Sequence, residues 1–79
     1  MAATLVFLGR LADVAGCGEL AVPEGALEEV LATLAPALAL ALLDERVRIA
    51  LNGNLIPARG GIVLGAGDEL AFLPPVSGG

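Results

Sequence analysis

The chain has 79 residues, enough for one domain whose small core leaves no room for a deep private active site. Its formal net charge is −5, from nine acidic residues against four arginines, so it lacks the basic cluster that nucleic acid requires. With 57% hydrophobic and 16% charged residues it belongs among folded globules, and with Phe7 and Phe72 as its only aromatics it offers little for base stacking.

Thr4 to Leu8 is a β-prone run that predicts a first strand, followed by a loop or short turn of helix over Arg10 to Ala15. Gly16-Cys17-Gly18 breaks the chain, and Glu19 to Val22 returns as a second strand before Pro23 and Gly25. Leu27, Val30, Leu31 and Leu34 then recur at helical spacing and predict the main helix, with Gly25 as N-cap. Glu24, Glu28 and Glu29 crowd its start, where the macrodipole favours negative charge. Pro36 interrupts the pattern, and a second short helix is expected to reach Leu43. The longest apolar stretch, Val30 to Leu43, falls short of the roughly 20 residues of a membrane span and reads as core helix.

From Arg46 the period changes to two, with Val47, Ile49 and Leu51 on one face and Arg48 and Ala50 on the other, which predicts a third strand. Asn52-Gly53-Asn54 signals a turn, Leu55-Ile56 a short strand closed by Pro57, and Gly60-Gly61 a further break. Gly65-Ala66-Gly67-Asp68 turns the chain into a last strand, Glu69 to Leu73. This order predicts an α+β fold, with one main helix and a short second helix packed on one face of a mixed sheet of about five strands. Residues 1–73 form the domain and 74–79 an extended tail.

Histidine is absent and Cys17 is the single cysteine, which removes Ser/His/Asp and Cys/His nucleophilic arrangements and His or Cys metal clusters. Glu28-Glu29 and Asp44-Glu45 beside Arg46 read as solvated faces. Cys17 reads as a neutral loop thiol, a persulfide-bearing role being the alternative. Glycines 60, 61, 65 and 67 lack a following Gly-Lys-Ser/Thr, so they read as turn glycines, and ATP is expected on another protein. No cofactor or metal is expected on this chain. The N-terminus has no basic n-region, and Arg10 and Asp13 follow closely on the apolar run Leu5 to Leu8, so a cytoplasmic location is expected.

The chemistry is concentrated at the end of the chain, Leu73-Pro74-Pro75-Val76-Ser77-Gly78-Gly79. The two prolines close the last strand, cannot donate to a ladder, and favour an extended exit from the domain. Six residues from Pro74 reach at most about 20 Å, enough to enter a partner's cleft while the body stays outside. Glycine at positions 78 and 79 lets the backbone thread a narrow channel and leaves the terminal carboxylate unhindered for attack at its carbonyl carbon.

Over its whole length, and above all in Gly67-Asp68-Glu69-Leu70-Ala71-Phe72-Leu73-Pro74-Pro75-Val76-Ser77-Gly78-Gly79, the chain resembles the small, sulfur-carrying subunits of molybdopterin synthase. The resemblance implies a ubiquitin-like β-grasp fold. It implies that an activating enzyme adenylates the Gly79 carboxylate with ATP, that a sulfur donor displaces AMP, and that the thiocarboxylate enters the large synthase subunit, with which the carrier forms a heterotetramer. On this reading the chain is no enzyme by itself. The Pro-Pro-Val approach favours this branch over carriers for thiazole, cysteine or tRNA thiolation and over protein modifiers, which share the glycine pair; an interaction module with an inert end is the remaining alternative.

Strand alternation adds a docking face. If Leu5, Phe7, Leu70 and Phe72 point inward, then Val6, Leu8, Ala71 and Leu73 point outward, and Leu55 joins Leu8 and Leu73 in an apolar patch at the root of the tail. The resemblance places this face, with Pro74, Pro75, Val76 and Ser77, against the large subunit. No nucleic acid and no membrane are expected as partners.

Overall fold

Burial alternates along strand β1, Ala2–Phe7, with Ala3, Leu5 and Phe7 buried and Thr4 and Val6 half-buried, in a computed structural model that describes residues 2–57 and 60–75. Helix α1, Arg10–Ala15, follows and ends at Gly16 in a left-handed C-cap. Strand β2, Glu19–Pro23, runs back antiparallel along β1, with Leu5 opposite Leu20 and Ala3 opposite Val22.

Gly25 departs from the sequence reading. It is not the helix N-cap: with Ala26 it forms a two-residue strand, β3, paired to β6, Val63–Leu64, in a small second sheet. Its φ of 141° serves that strand, and Ala26 takes the cap position without a side-chain hydrogen bond. Helix α2, Leu27–Ala32, buries Leu27, Val30 and Leu31, so the periodicity does identify its inner face. It ends ahead of Pro36, which holds Ala35 extended with ψ 140°; in its last turn the Thr33 hydroxyl donates to the Val30 carbonyl at 2.7 Å, and the Thr33 and Leu34 amides close tight turns onto Val30 and Leu31. Helix α3, Pro36–Leu42, begins with the proline at its first turn, where the missing N–H costs nothing.

Strand β4, Arg48–Leu51, turns at Asn52 and Gly53, both at positive φ, into β5, Asn54–Ile56. Strand β7, Glu69–Leu73, closes the five-stranded sheet in the order β2-β1-β7-β4-β5. The first and last strands are its parallel pair, Thr4 opposite Glu69 through Phe7 opposite Phe72, while β7 is antiparallel to β4. The rings of Phe7 and Phe72 stack at 5.9 Å. The core lies between the inner face of this sheet and the helices, centred on Leu5, Leu42, Ile49, Leu64, Leu70 and Phe72, all nearly inaccessible.

The end of the sheet where β7 begins is held by polar contacts. Asp68 accepts from the Gly65 amide at 2.8 Å and from the Asn52 side-chain amide at 3.1 Å, and Asn52 accepts from the Glu69 amide at 2.9 Å. The Gly65 amide first, and Asn52 second, lower the Asp68 pKa. A carboxylate with a lowered folded-state pKa stabilises the fold above its unfolded value near 3.9 and loses that contribution as pH falls through the folded value. Wild type is therefore expected to lose more thermal stability than Asp68→Asn between about pH 5 and pH 2, read by circular dichroism melts. Parallel losses in the two proteins would remove Asp68 from this role.

Candidate functional site

Because β1 and β7 are parallel, the end of β1 and the start of the tail emerge at the same edge of the molecule. The Leu8 amide donates to the Phe72 carbonyl at 3.1 Å, which carries the pairing one step further and sets Leu8 beside Leu73. Leu73 in turn lies opposite Arg48 of β4. On the next row of the same outer face, Val6, Ala71, Ala50 and Leu55 stand side by side across four strands. The register thus puts Leu8, Leu55 and Leu73 on one face, as alternation predicts. Leu8 and Leu55 are exposed, at 42% and 69%, whereas Leu73 is half-buried between its neighbours.

Pro74 and Pro75, both half-buried, continue from Leu73 along an open groove lined also by Glu45, Arg46 and Arg48. Arg46 grips Asp44 with two hydrogen bonds, Nε to Oδ1 at 3.1 Å and Nη2 to Oδ2 at 2.9 Å. That side-chain bonding, with the Arg46 backbone amide, lowers the Asp44 pKa to about 2. The pair is exposed and acts locally, fixing the loop that leads from α3 into β4. Pro74 rests on Gly9, the residue immediately before α1. Val76, Ser77, Gly78 and Gly79, the remaining tail residues singled out by the sequence, lie outside the described residues.

Cys17 is exposed in the turn between α1 and β2, its thiol making a weak 3.9 Å contact to the Ala15 carbonyl. If the chain carries sulfur as its resemblance implies, Cys17→Ser retains loading in full, measured by mass after incubation with an activating enzyme, ATP and a sulfur donor. A folded Cys17→Ser protein that no longer takes up sulfur would move the carrier site to the thiol. Among the described residues, no helix is long and apolar enough to cross a membrane.

A sequence profile described as the ThiS family matches residues 5–79, nearly the whole chain. The chain belongs to the ThiS family. Like other ThiS-family chains it has the ubiquitin-like β-grasp fold of the sulfur carriers, and solved structures agree. It is similar to small archaeal modifier protein 1 from Haloferax volcanii, with 30% identity, full coverage of both chains and a TM-score of 0.78. The small archaeal modifier protein 1 of Methanosarcina acetivorans gives the same identity and TM-score, over 99% of this chain and 96% of that one. Subunit 1 of the molybdopterin-converting factor of Helicobacter pylori, solved in complex with subunit 2, is 29% identical over the full length of both chains, with a TM-score of 0.69. Among curated proteins no match is found. Sequence reasoning missed two features here: Gly9, which it did not single out, and the groove in which Arg48 meets the prolines. A glycine placed directly after a strand was the available signal for the first.

Proposed function

We propose that this ThiS-family chain is the sulfur-carrier subunit of a molybdopterin synthase, acting in the cytoplasm. The observation that carries the reading is the joint placement at one edge of a proline-led exit and an apolar outer sheet face, Leu8, Leu55 and Leu73. A carrier needs both: a face on which a partner holds the body, and a tail that leaves beside it.

In the proposed cycle, an oxygen of the Gly79 carboxylate attacks the α-phosphate of ATP on an activating enzyme and releases pyrophosphate. The acyl adenylate is an electrophile that the free carboxylate is not. Hydrosulfide supplied by the donor attacks the acyl carbon, AMP leaves, and a thiocarboxylate remains. The large synthase subunit, with which the carrier assembles as a heterotetramer, then binds the tail and passes the sulfur to cyclic pyranopterin monophosphate. Each pterin takes two sulfurs, so a spent carrier must leave and a loaded one replace it, which favours an interface of moderate affinity.

The test incubates the chain with an activating enzyme, ATP and a sulfur donor, then with a large synthase subunit and the pterin. Expected are the mass increase of one oxygen replaced by sulfur, followed by its loss as dithiolene forms. The similarity to archaeal modifier proteins favours a second reading, attachment of Gly79 to lysines of other proteins. Under that reading the same incubation with cell extract yields lysine adducts and no dithiolene. The chain has no lysine, so it offers no side-chain amine for attachment to itself.

A further inference from the structure

We infer that Gly9 is a positioning residue for the tail: the absence of a side chain there lets the Pro74 ring seat against the junction of β1 and α1, and this seat sets the direction in which the chain leaves β7. The inference rests on reading the tail as the acting part of the protein. Two separate observations converge on it.

The first is conformational. Gly9 has φ 54° and ψ −135°, a combination closed to residues bearing a Cβ. The second is a contact: a Cβ added at Gly9 would stand 3.0 Å from Cγ and 3.8 Å from Cδ of Pro74. Gly16, Gly53, Gly61 and Gly67 also have positive φ, but nothing lies within 4 Å of a Cβ at any of them. At Gly25 the nearest atom is the flexible end of Glu29, 4.0 Å away. Backbone conformation alone explains those glycines, whereas Gly9 also makes room for a distant part of the chain.

Gly9 has little freedom to yield. On one side Leu8 donates to Phe72, and on the other the Leu11 and Ala12 amides donate to the Leu8 and Gly9 carbonyls, each at 3.1 Å. Pro74 cannot relax through its own φ, which its ring fixes. A methyl at position 9 therefore displaces the ring and the chain that follows. The five residues beyond Pro74 span at most about 17 Å, so a shift of a few tenths of an ångström at the ring, a turn of about 5° at Pro74, moves the terminus by about 1.5 Å. Misplacement by even about 1 Å can cost on the order of a hundredfold in rate at a reacting centre.

The experiment uses the full chain with a nitroxide on Cys17, its single and exposed cysteine. Paramagnetic broadening of the backbone amides at residues 76–79 is measured in wild type, Gly9→Ala, Pro74→Ala, the double variant, and Gly53→Ala as a positive-φ control without a neighbour. We expect a changed broadening pattern in Gly9→Ala and in Pro74→Ala, no further change on adding Gly9→Ala to Pro74→Ala, and the wild-type pattern in Gly53→Ala. Loading by the activating enzyme should follow suit, with KM for Gly9→Ala raised about tenfold and the double variant matching Pro74→Ala. A folded Gly9→Ala protein with the wild-type pattern, or the same increment with and without the proline ring, overturns the inference. If Gly9→Ala does not fold, Pro74→Ala decides alone, and an unchanged pattern in it overturns the inference. Broadening that changes as expected while even wild type takes up no sulfur leaves the positioning standing and removes the carrier reading.

Discussion

Removing Gly79, or extending the chain beyond it with a tag, is expected to abolish sulfur loading while leaving the fold intact. In the proposed cycle loading begins at the Gly79 carboxylate, and an amide in its place has no oxygen able to attack the α-phosphate as an anion. Truncation leaves a carboxylate one residue short, about 3.5 Å from where the activating enzyme would hold it. The core gives no reason for the fold to respond. Among the described residues, every buried hydrophobic residue lies between Ala3 and Phe72, and β7, the strand at the centre of the sheet, is complete at Leu73. Changes away from a core stay within about 0.5 kcal/mol, which in a domain of this size moves the melting midpoint by less than about 4 °C. Mass spectrometry and a thermal melt on the same samples make the check. A tagged protein that loads at the wild-type rate would end the carrier reading.

Leu55→Asp and Leu73→Asp are each expected to weaken binding to a large synthase subunit at least tenfold. Burying a leucine against a partner contributes roughly 1.5–3 kcal/mol, and about 1.4 kcal/mol is tenfold in affinity, so losing one such contact suffices before the cost of a desolvated carboxylate is added. The two variants differ in what they do to the free protein. Leu55 is 69% exposed on the edge strand β5, so its replacement should change stability by less than about 0.5 kcal/mol. Leu73 is half-buried on the central β7 and carries a larger stability cost, which makes Leu55 the cleaner probe. Leu40→Asp, 72% exposed on α3 and so on the opposite side of the sheet, is the control and should bind as wild type. Calorimetry or surface binding at matched concentrations reads the result. Unchanged affinity in both sheet variants, or an equal loss in Leu40→Asp, would move the docking face elsewhere.

Where side chains repeat with a clear period, chain order alone located the elements. Strands β1, β2, β4 and β7 follow alternating or continuous β-prone runs, and α2 follows the spacing of Leu27, Val30 and Leu31. The pairing of Gly25–Ala26 with Val63–Leu64 was not legible, because two-residue strands carry no period and their partners are far apart in the chain. The end of α2 was legible only in part: Pro36 marks the break, but the tight turns at Thr33 and Leu34 that precede it change no side-chain period.

The tail divides in the same way. The residues it rests on are local: two prolines and two glycines are legible in the sequence wherever the body places them. That Leu8, Leu55 and Leu73 share a face also follows from the period of two in each strand taken singly. That Leu8 and Leu73 stand side by side at the exit, with Leu55 two strands away from Leu73 on the same face, does not, for it depends on β7 inserting between β1 and β4, parallel to one and antiparallel to the other. Such pairing joins residues more than sixty positions apart and is selected by burial of Leu5, Phe7, Leu70 and Phe72 in one core, a collective term with no signature in any short window. The seat of Pro74 on Gly9 belongs to the same class: the glycine is visible in the chain, but its neighbour is supplied by the tertiary fold.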